Sequence, residues 1–246
     1  MLKGKTAIIT GAKRGIGNSL LKLFSKNGAN IIACIRKEDA DFKKECEDLE
    51  KKYQNRISCF YFDLNNEEDT KNNILEILKQ NIEIDILVNN AGEITTSLFQ
   101  MTTTSNLKKI FQINFFSPML IMQLVLKNMI RNKKGSIINI SSSAAFEFNA
   151  GRSAYASSKS SISTASQVIA REVGSHNVRV NIVAPGLTDT DMLKNSSKPE
   201  VIEKKTNEIS LKRIANTNEI AKAILFLASD MSSYITGEII RVDGGL

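Results

Sequence analysis

The sequence predicts a doubly wound α/β fold: a seven-stranded parallel sheet with helices on both faces, built as one domain over residues 1–246. Three observations carry this expectation. Short apolar runs alternate with amphipathic segments along the whole chain, the pattern of repeated βα units. The runs AIIT, IIACI, DILVN, SIINI and VRVNIVA are nearly continuous, which suits strands buried on both faces. A glycine-rich turn joins the first run to the first helix, where such folds gather ligands at the carboxyl ends of their strands. No linker, low-complexity tail or internal repeat interrupts the pattern.

In chain order, strands are expected at 6–10, 30–35, 57–62, 84–89, 136–141, 178–184 and 239–242. Amphipathic segments near 16–27, 38–53, 67–80, 107–132, 153–174 and 217–228 fill the intervals. The longest apolar stretch, 110–130, contains Gln112, Asn114, Pro118, Gln123, Lys127 and Asn128. Those residues are costly in lipid, so the stretch reads as a buried helix and no membrane association is expected. Residues 189–214 are polar, notably from Lys194 to Pro199, and read as a mobile substrate lid. The opening MLKGKTAIITGAK lacks an apolar segment followed by a cleavage site. The chain therefore reads as cytoplasmic.

Composition narrows the function. Cys34, Cys46 and Cys59 form no C-x-x-C, so neither a zinc knuckle nor a disulfide framework is expected. A lone histidine, His176, removes metal sites that need two, and no G-x-S-x-G elbow marks a serine hydrolase. No metal is expected. The net charge of +7 raises nucleic-acid binding. Acids are interleaved with the bases, as at Glu45, Glu47, Asp48 and Glu50 between Lys43 and Lys52, which describes a solvated helix face. Without a basic stripe or an aromatic platform, no nucleic-acid partner is expected. The charge is compatible with an acidic protein partner or an anionic cofactor.

The turn runs Thr10-Gly11-Ala12-Lys13-Arg14-Gly15-Ile16-Gly17. Glycines permit a tight turn and close backbone approach to a diphosphate, and the following helix offers unpaired N–H groups and a favourable dipole. Structural turns carry glycines too, so the position between strand and helix is what gives the motif weight. Tyr155 and Lys159 lie four residues apart on one helical face. A free tyrosine, with a pKa near about 10, is a poor acid at neutral pH, and a nearby ammonium would favour its phenolate. Such pairs are common by chance; neighbouring motifs decide. Ser141-Ser142-Ser143 close the fifth strand, and Asn114 is a polar residue inside an apolar helix, either a satisfied core amide or a functional group.

The T-G-x-x-x-G-I-G turn, Asn89-Asn90-Ala91-Gly92 after the fourth strand, and Tyr155-x-x-x-Lys159 together resemble a short-chain dehydrogenase/reductase with a Rossmann-type sheet. Within that family the resemblance is strongest to the bacterial 3-oxoacyl-(acyl carrier protein) reductases, and it spans Gly4 to Gly245. It implies a nicotinamide dinucleotide held by Gly11, Lys13, Arg14, Gly15, Ile16 and Gly17 at the phosphates. Asp63 and Leu64 would sit at the adenine, and Asn90, Ala91 and Gly92 along the adenosine side. Pro185, Gly186, Leu187, Thr188 and Thr190 would cover the nicotinamide. NAD-binding relatives keep an acid at the end of the second strand; here Ile35 takes that place and Arg36 follows. With Lys13 and Arg14, Arg36 suits the dianionic 2′-phosphate of NADPH rather than NADH, unless Arg36 and Lys37 are ordinary loop charges.

The same resemblance implies Asn114, Ser142, Tyr155 and Lys159 as the catalytic group. Ser142 is chosen by its thirteen-residue lead over Tyr155, and a one-residue shift to Ser141 or Ser143 stays open. Tyr155 would donate the proton and Ser142 would hold the ketone oxygen. Lys159 would bind the nicotinamide ribose, and Asn114 would hold a water linking Lys159 to solvent. The implied reaction reduces a 3-oxoacyl thioester to the 3-hydroxyacyl thioester, with Lys133 and Arg171 placed to dock an acidic acyl carrier protein. The small residues after Tyr155 imply helix pairing in a homotetramer.

Three departures sit near the expected substrate mouth. Phe148 stands where glycine is usual, Arg152 replaces a glutamine and Glu93 replaces an apolar residue. They leave open a non-lipid ketone, sugar-derived or a secondary metabolite, including a polar or anionic one handled by Arg152, with Phe148 and Arg152 as the candidate substrate residues. A non-catalytic NADPH-binding regulator is the other class, opposed by the complete set of four.

Overall fold

In the computed structural model, which describes residues 1–246, seven strands form one parallel sheet. They are β1 (Thr6–Thr10), β2 (Asn30–Ile35), β3 (Ile57–Tyr61), β4 (Ile86–Asn89), β5 (Gly135–Ile140), β6 (Val178–Pro185) and β7 (Ile239–Val242). Their order is β3-β2-β1-β4-β5-β6-β7. The direction of winding reverses between β1 and β4, so a crevice opens beside their carboxyl ends. Every strand-to-strand pairing is parallel.

The helices are α1 (Gly15–Lys26), α2 (Ala40–Tyr53), α3 (Glu67–Lys79), α4 (Thr104–Phe111), α5 (Ser117–Asn132), α6 (Ala144–Glu147), α7 (Ser153–Val173), α8 (Asp191–Ser196), α9 (Pro199–Glu208) and α10 (Thr217–Ala228). Strand side chains alternate between two cores. Ile9, Ile31, Ile86 and Ile138 pack with Leu20 and Phe24 of α1, Phe42 of α2 and Ile224 of α10. Ile8, Ile32, Leu87 and Ile137 pack with Ile77 of α3, Val125 of α5 and Ile162 of α7. Each fully buried Leu, Ile or Phe contributes ~1.5–3 kcal/mol, so the two layers hold the sheet from both sides.

Local chemistry sets the helix starts. Asp39 caps α2 by accepting from the Phe42 N–H at 2.9 Å. Asn216 and Glu219 form a reciprocal capping box at α10. The start of α1 differs: no side chain caps it and no acid lies in its first turn.

Two expectations change. The helix expected over 107–132 is α4 and α5 joined by a π-helical turn, Gln112–Phe116, with Asn114 in its middle. The run Thr104–Asn132 is long and apolar enough to cross a membrane by length and composition, yet nearly half of its most apolar window is buried against the protein. Residues 189–214 contain α8 and α9 instead of an open loop. Thr190 caps α8 through the Leu193 N–H, and Pro199 starts α9 with its φ already helical. Their polar faces concealed them from a search for apolar periodicity.

Candidate active site

The glycine turn leaves β1 and enters α1 over the crevice. Gly11 (φ +69°) and Gly15 (φ +56°) take left-handed conformations. A Cβ on Gly17 would lie 2.0 Å from the Gly11 carbonyl oxygen, so no larger residue fits there. Thr10 Oγ1 accepts from the N–H groups of Asn90 and Ala91, both at 3.0 Å. Asn90 Nδ2 donates to the Thr10 carbonyl at 2.9 Å. Asn90 and Ala91 therefore lock the ends of β1 and β4 together. The α1 amides, with no cap and no acid, form a cradle suited to a diphosphate.

Basic residues lie around this turn, partly engaged. Lys13 pairs with Asp39, whose carboxyl is held below its usual range by that ammonium and by the Phe42 N–H. Arg14 lies 3.8 Å from Asp191 on α8. Arg36 is exposed immediately after β2 and makes no ion pair. Asp63 follows β3, and its Oδ1 accepts from the Asn65 N–H at 2.9 Å in a local turn. Leu64 is buried behind it, its carbonyl accepting from Ser117 Oγ at 2.6 Å.

Beyond β4 and β5 the four remaining polar residues come together. Asn114 is 1% exposed. Its Oδ1 accepts from the Glu93 N–H at 2.9 Å, and its Nδ2 donates to the Glu93 carbonyl at 2.8 Å and to Ser158 Oγ at 3.0 Å. Both amide donors are engaged, and one Oδ1 lone pair stays open. A Cβ placed on Gly92 would meet Asn114 Oδ1 at 3.2 Å and Lys159 Nζ at 3.3 Å. Glycine is the residue that lets these two groups converge. The π-helical turn supplies the means, re-aiming one side chain within an otherwise regular helix.

Lys159 Nζ donates to the Ile140 carbonyl at 2.7 Å and lies 6.0 Å from the centre of the Tyr155 ring. Burial pushes its pKa down to about 8. Tyr155 is also buried, and burial raises its pKa; the Ser142 hydroxyl and the Arg152 guanidinium oppose that rise. In this structure the Lys159 ammonium is directed to the Ile140 carbonyl, and the Arg152 guanidinium is a second positive charge that lowers the Tyr155 pKa. Of the three serines, Ser141 donates to the Lys159 carbonyl at 2.9 Å and accepts from Ser163, both buried. Ser143 N–H donates to the Pro185 carbonyl at 2.9 Å. Ser142 alone turns its hydroxyl beside Tyr155.

The segment after β6 closes the site. A Cβ on Gly186 would clash with Asp243 at 2.7 Å. Leu187 and Asp189 exchange backbone bonds with Ala215, and Thr188 Oγ1 donates to the Gly186 carbonyl at 3.0 Å. Thr190 packs over Gly15, its Cγ2 3.2 Å from where a Cβ there would stand. At the mouth, Arg152 Nη2 donates to Ser197 Oγ at 3.1 Å, while Nη1 is buried without a partner. Phe148 takes φ +54° and is 87% exposed. Glu147 and Lys205 pair at 2.9 Å, tying α6 to α9. The sequence does not predict that ion pair, and it offers Ser158 only as one of the small residues after Tyr155 that favour helix pairing, not as a partner of Asn114. Nothing in their spacing marks them, because each acts across a tertiary contact.

Comparison with known proteins finds similar chains along essentially the whole length. A family model described as enoyl-(acyl carrier protein) reductase matches residues 11–246. A 3-oxoacyl-(acyl carrier protein) reductase of Chlamydia muridarum is 36% identical over 246 residues, covering 100% of this chain and 98% of the relative. A 3alpha-hydroxysteroid dehydrogenase of Mediterraneibacter gnavus is 38% identical, covering 99% and 97%. A solved structure described as an NAD(P)-dependent gluconate 5-dehydrogenase of Beutenbergia cavernae, with NADP bound at low occupancy, superposes with a TM-score of 0.92 at 28% identity, covering 99% and 97%.

Proposed function

The chain belongs to the short-chain dehydrogenase/reductase family, whose members are NAD(P)-dependent oxidoreductases acting on CH–OH groups, and from that premise we propose that it reduces a 3-oxoacyl thioester with NADPH. The observation that carries the reading is the convergence of Asn114, Ser142, Tyr155 and Lys159 at the carboxyl ends of β4 and β5, beside the uncapped start of α1. The relative from Chlamydia supports the thioester; the steroid-active relative, equally similar, supports a ketone that is not a thioester, and the gluconate 5-dehydrogenase neighbour keeps the non-lipid, sugar-derived ketone as the second reading.

The residues fit the cofactor. The α1 amides and Gly11 to Gly17 would hold the diphosphate, Arg36 with Lys13 and Arg14 the 2′-phosphate, Asp63 and Leu64 the adenine, and the 185–190 segment the nicotinamide. When bound, NADPH supplies the hydride. The chain's own groups handle the oxygen and the proton. Ser142 donates to the ketone oxygen, and Tyr155 transfers its proton as negative charge develops there. Arg152 steadies the phenolate that remains. Lys159 would hold the cofactor's ribose and, with the open lone pair of Asn114, would return a proton from water.

Lys133 and Arg171 are proposed to meet an acidic carrier protein, and a single cytoplasmic domain assembling as a homotetramer is the matching form. The test is oxidation of NADPH and NADH by the purified protein with an acetoacetyl thioester at neutral pH. NADPH-selective turnover that is lost in Tyr155→Phe, with NADPH binding retained, is expected. Full turnover in Tyr155→Phe overturns the assignment, and NADPH binding without thioester turnover moves the substrate to the second reading.

A further inference from the structure

A second group of reactive side chains lies far from Tyr155, on the outer β2–α2–β3 unit. Cys46 on α2 and Cys59 on β3 place their Sγ atoms 3.7 Å apart. The third cysteine, Cys34, cannot join them. In the β2–β3 register Ala33 stands opposite Cys59, so Cys34 points to the other face of the sheet. It packs in the opposite core, where burial raises its pKa. Cys46 is buried, whereas Cys59 is partly open to solvent.

We propose that Cys46 and Cys59 are a dithiol modification site that forms a reversible intramolecular disulfide with small-molecule disulfide oxidants. The Cys59 thiolate attacks one sulfur of the oxidant, forming a mixed disulfide and releasing one small thiol. Cys46 then gives up its proton and attacks Cys59 Sγ, releasing the second small thiol. The protein loses two hydrogens and two electrons, and the oxidant gains them.

The surroundings suit this order of attack. The Cys46 S–H, the Tyr61 hydroxyl and the Lys43 ammonium hold the Cys59 thiol below its usual pKa, against burial and Glu50. Cys46 is pushed up, first by its hydrogen bond to Cys59 and then by burial, Cys59, Glu45 and Glu50. Once Cys59 carries the mixed disulfide, the first of those causes is gone. Closing the gap to about 2.05 Å falls to rotation of the two cysteine side chains. α2 is already fixed nearby, since Glu50 Oε1 accepts from the Ile57 N–H at 2.5 Å and Glu45 accepts from Asn18 Nδ2 at 2.8 Å.

The test uses the full chain treated with oxidised glutathione, then read by intact mass and by peptide mapping after alkylation. Expected is the loss of two hydrogens, a Cys46–Cys59 peptide pair, and reversal by dithiothreitol. Cys34→Ala retains all three, while Cys46→Ser and Cys59→Ser each abolish the pair. Cys46→Ser should stall as a glutathione adduct on Cys59. The oxidised protein should melt roughly 5–10 °C higher by circular dichroism, because a short loop is closed in the unfolded chain. Three free thiols after treatment, a stable adduct on the unmutated protein, or linkage through Cys34 each overturn the proposal.

Discussion

Replacing Asn114 by alanine separates two roles that the structure gives to one amide. The side chain is 1% exposed and makes three hydrogen bonds, two of them to the backbone of Glu93. Truncation leaves the Glu93 N–H and carbonyl without those partners, while Ser158 keeps its bond to the Tyr155 carbonyl. Two orphaned backbone groups at ~1–2 kcal/mol each place the loss at about 3 kcal/mol. For a chain of this length that lowers Tm by roughly 6–12 °C. Calorimetry or far-ultraviolet circular dichroism should report it, since the protein has no tryptophan. Turnover should fall at a temperature where the variant is fully folded, because Lys159 loses the open Oδ1 lone pair that converges with it above Gly92. An unchanged Tm refutes the Glu93 clamp. A lowered Tm with full turnover in the folded variant shows that Asn114 positions backbone only.

Other substitutions address separate parts of the site. Arg36→Asp should raise KM for NADPH more than KM for NADH in steady-state oxidation assays; an unchanged preference places the 2′-phosphate elsewhere. Lys159, with its pKa depressed to about 8, costs stability where it must be buried charged, so its contribution to folding stability rises with pH from about 8 toward its unfolded value. Lys159→Met should lack that rise in denaturant titrations, while the kcat/KM of the unmutated enzyme declines above about pH 8 as the ammonium is lost. Arg152→Gln should weaken turnover at neutral pH and move the proton-donor limb of the pH profile upward, because the guanidinium lowers the Tyr155 pKa. A profile that does not move would remove Arg152 from the proton transfer.

The cofactor side of the molecule was legible because its physics is local. Gly11, Gly15 and Gly17 are required by backbone conformation within one turn, and the turn lies where β1 meets α1. Strand positions follow from apolar runs; β4 begins at Ile86 rather than at 84, and just before it Asp85 bonds the Thr6 N–H through its carboxylate at 2.8 Å. The π-helical turn at Asn114 was visible only as a polar residue in an apolar helix; its extra residue per turn leaves no mark on periodicity. Helices α8 and α9 escape a search for apolar periodicity because none of their residues is buried.

The substrate side obeys longer-range rules, and that difference governs how far function can be argued. Arg152 acts on Tyr155 three positions along the chain, but what it can bind depends on Ser197, forty-five residues away at the end of α8. Glu147 holds its carboxyl below the usual range through Ser143, Lys205 and Asn149 in spite of burial, so the α6–α9 tie persists at neutral pH. Phe148, next to that tie, is kept in a left-handed conformation that costs a non-glycine residue ~1–2 kcal/mol. An exposed aromatic ring held at that cost, four residues before a guanidinium with one unpartnered nitrogen, gives this segment an apolar feature and a cationic one. A 3-oxoacyl thioester offers an apolar chain and a second carbonyl oxygen to those two features, whereas a simple ketone offers only the first.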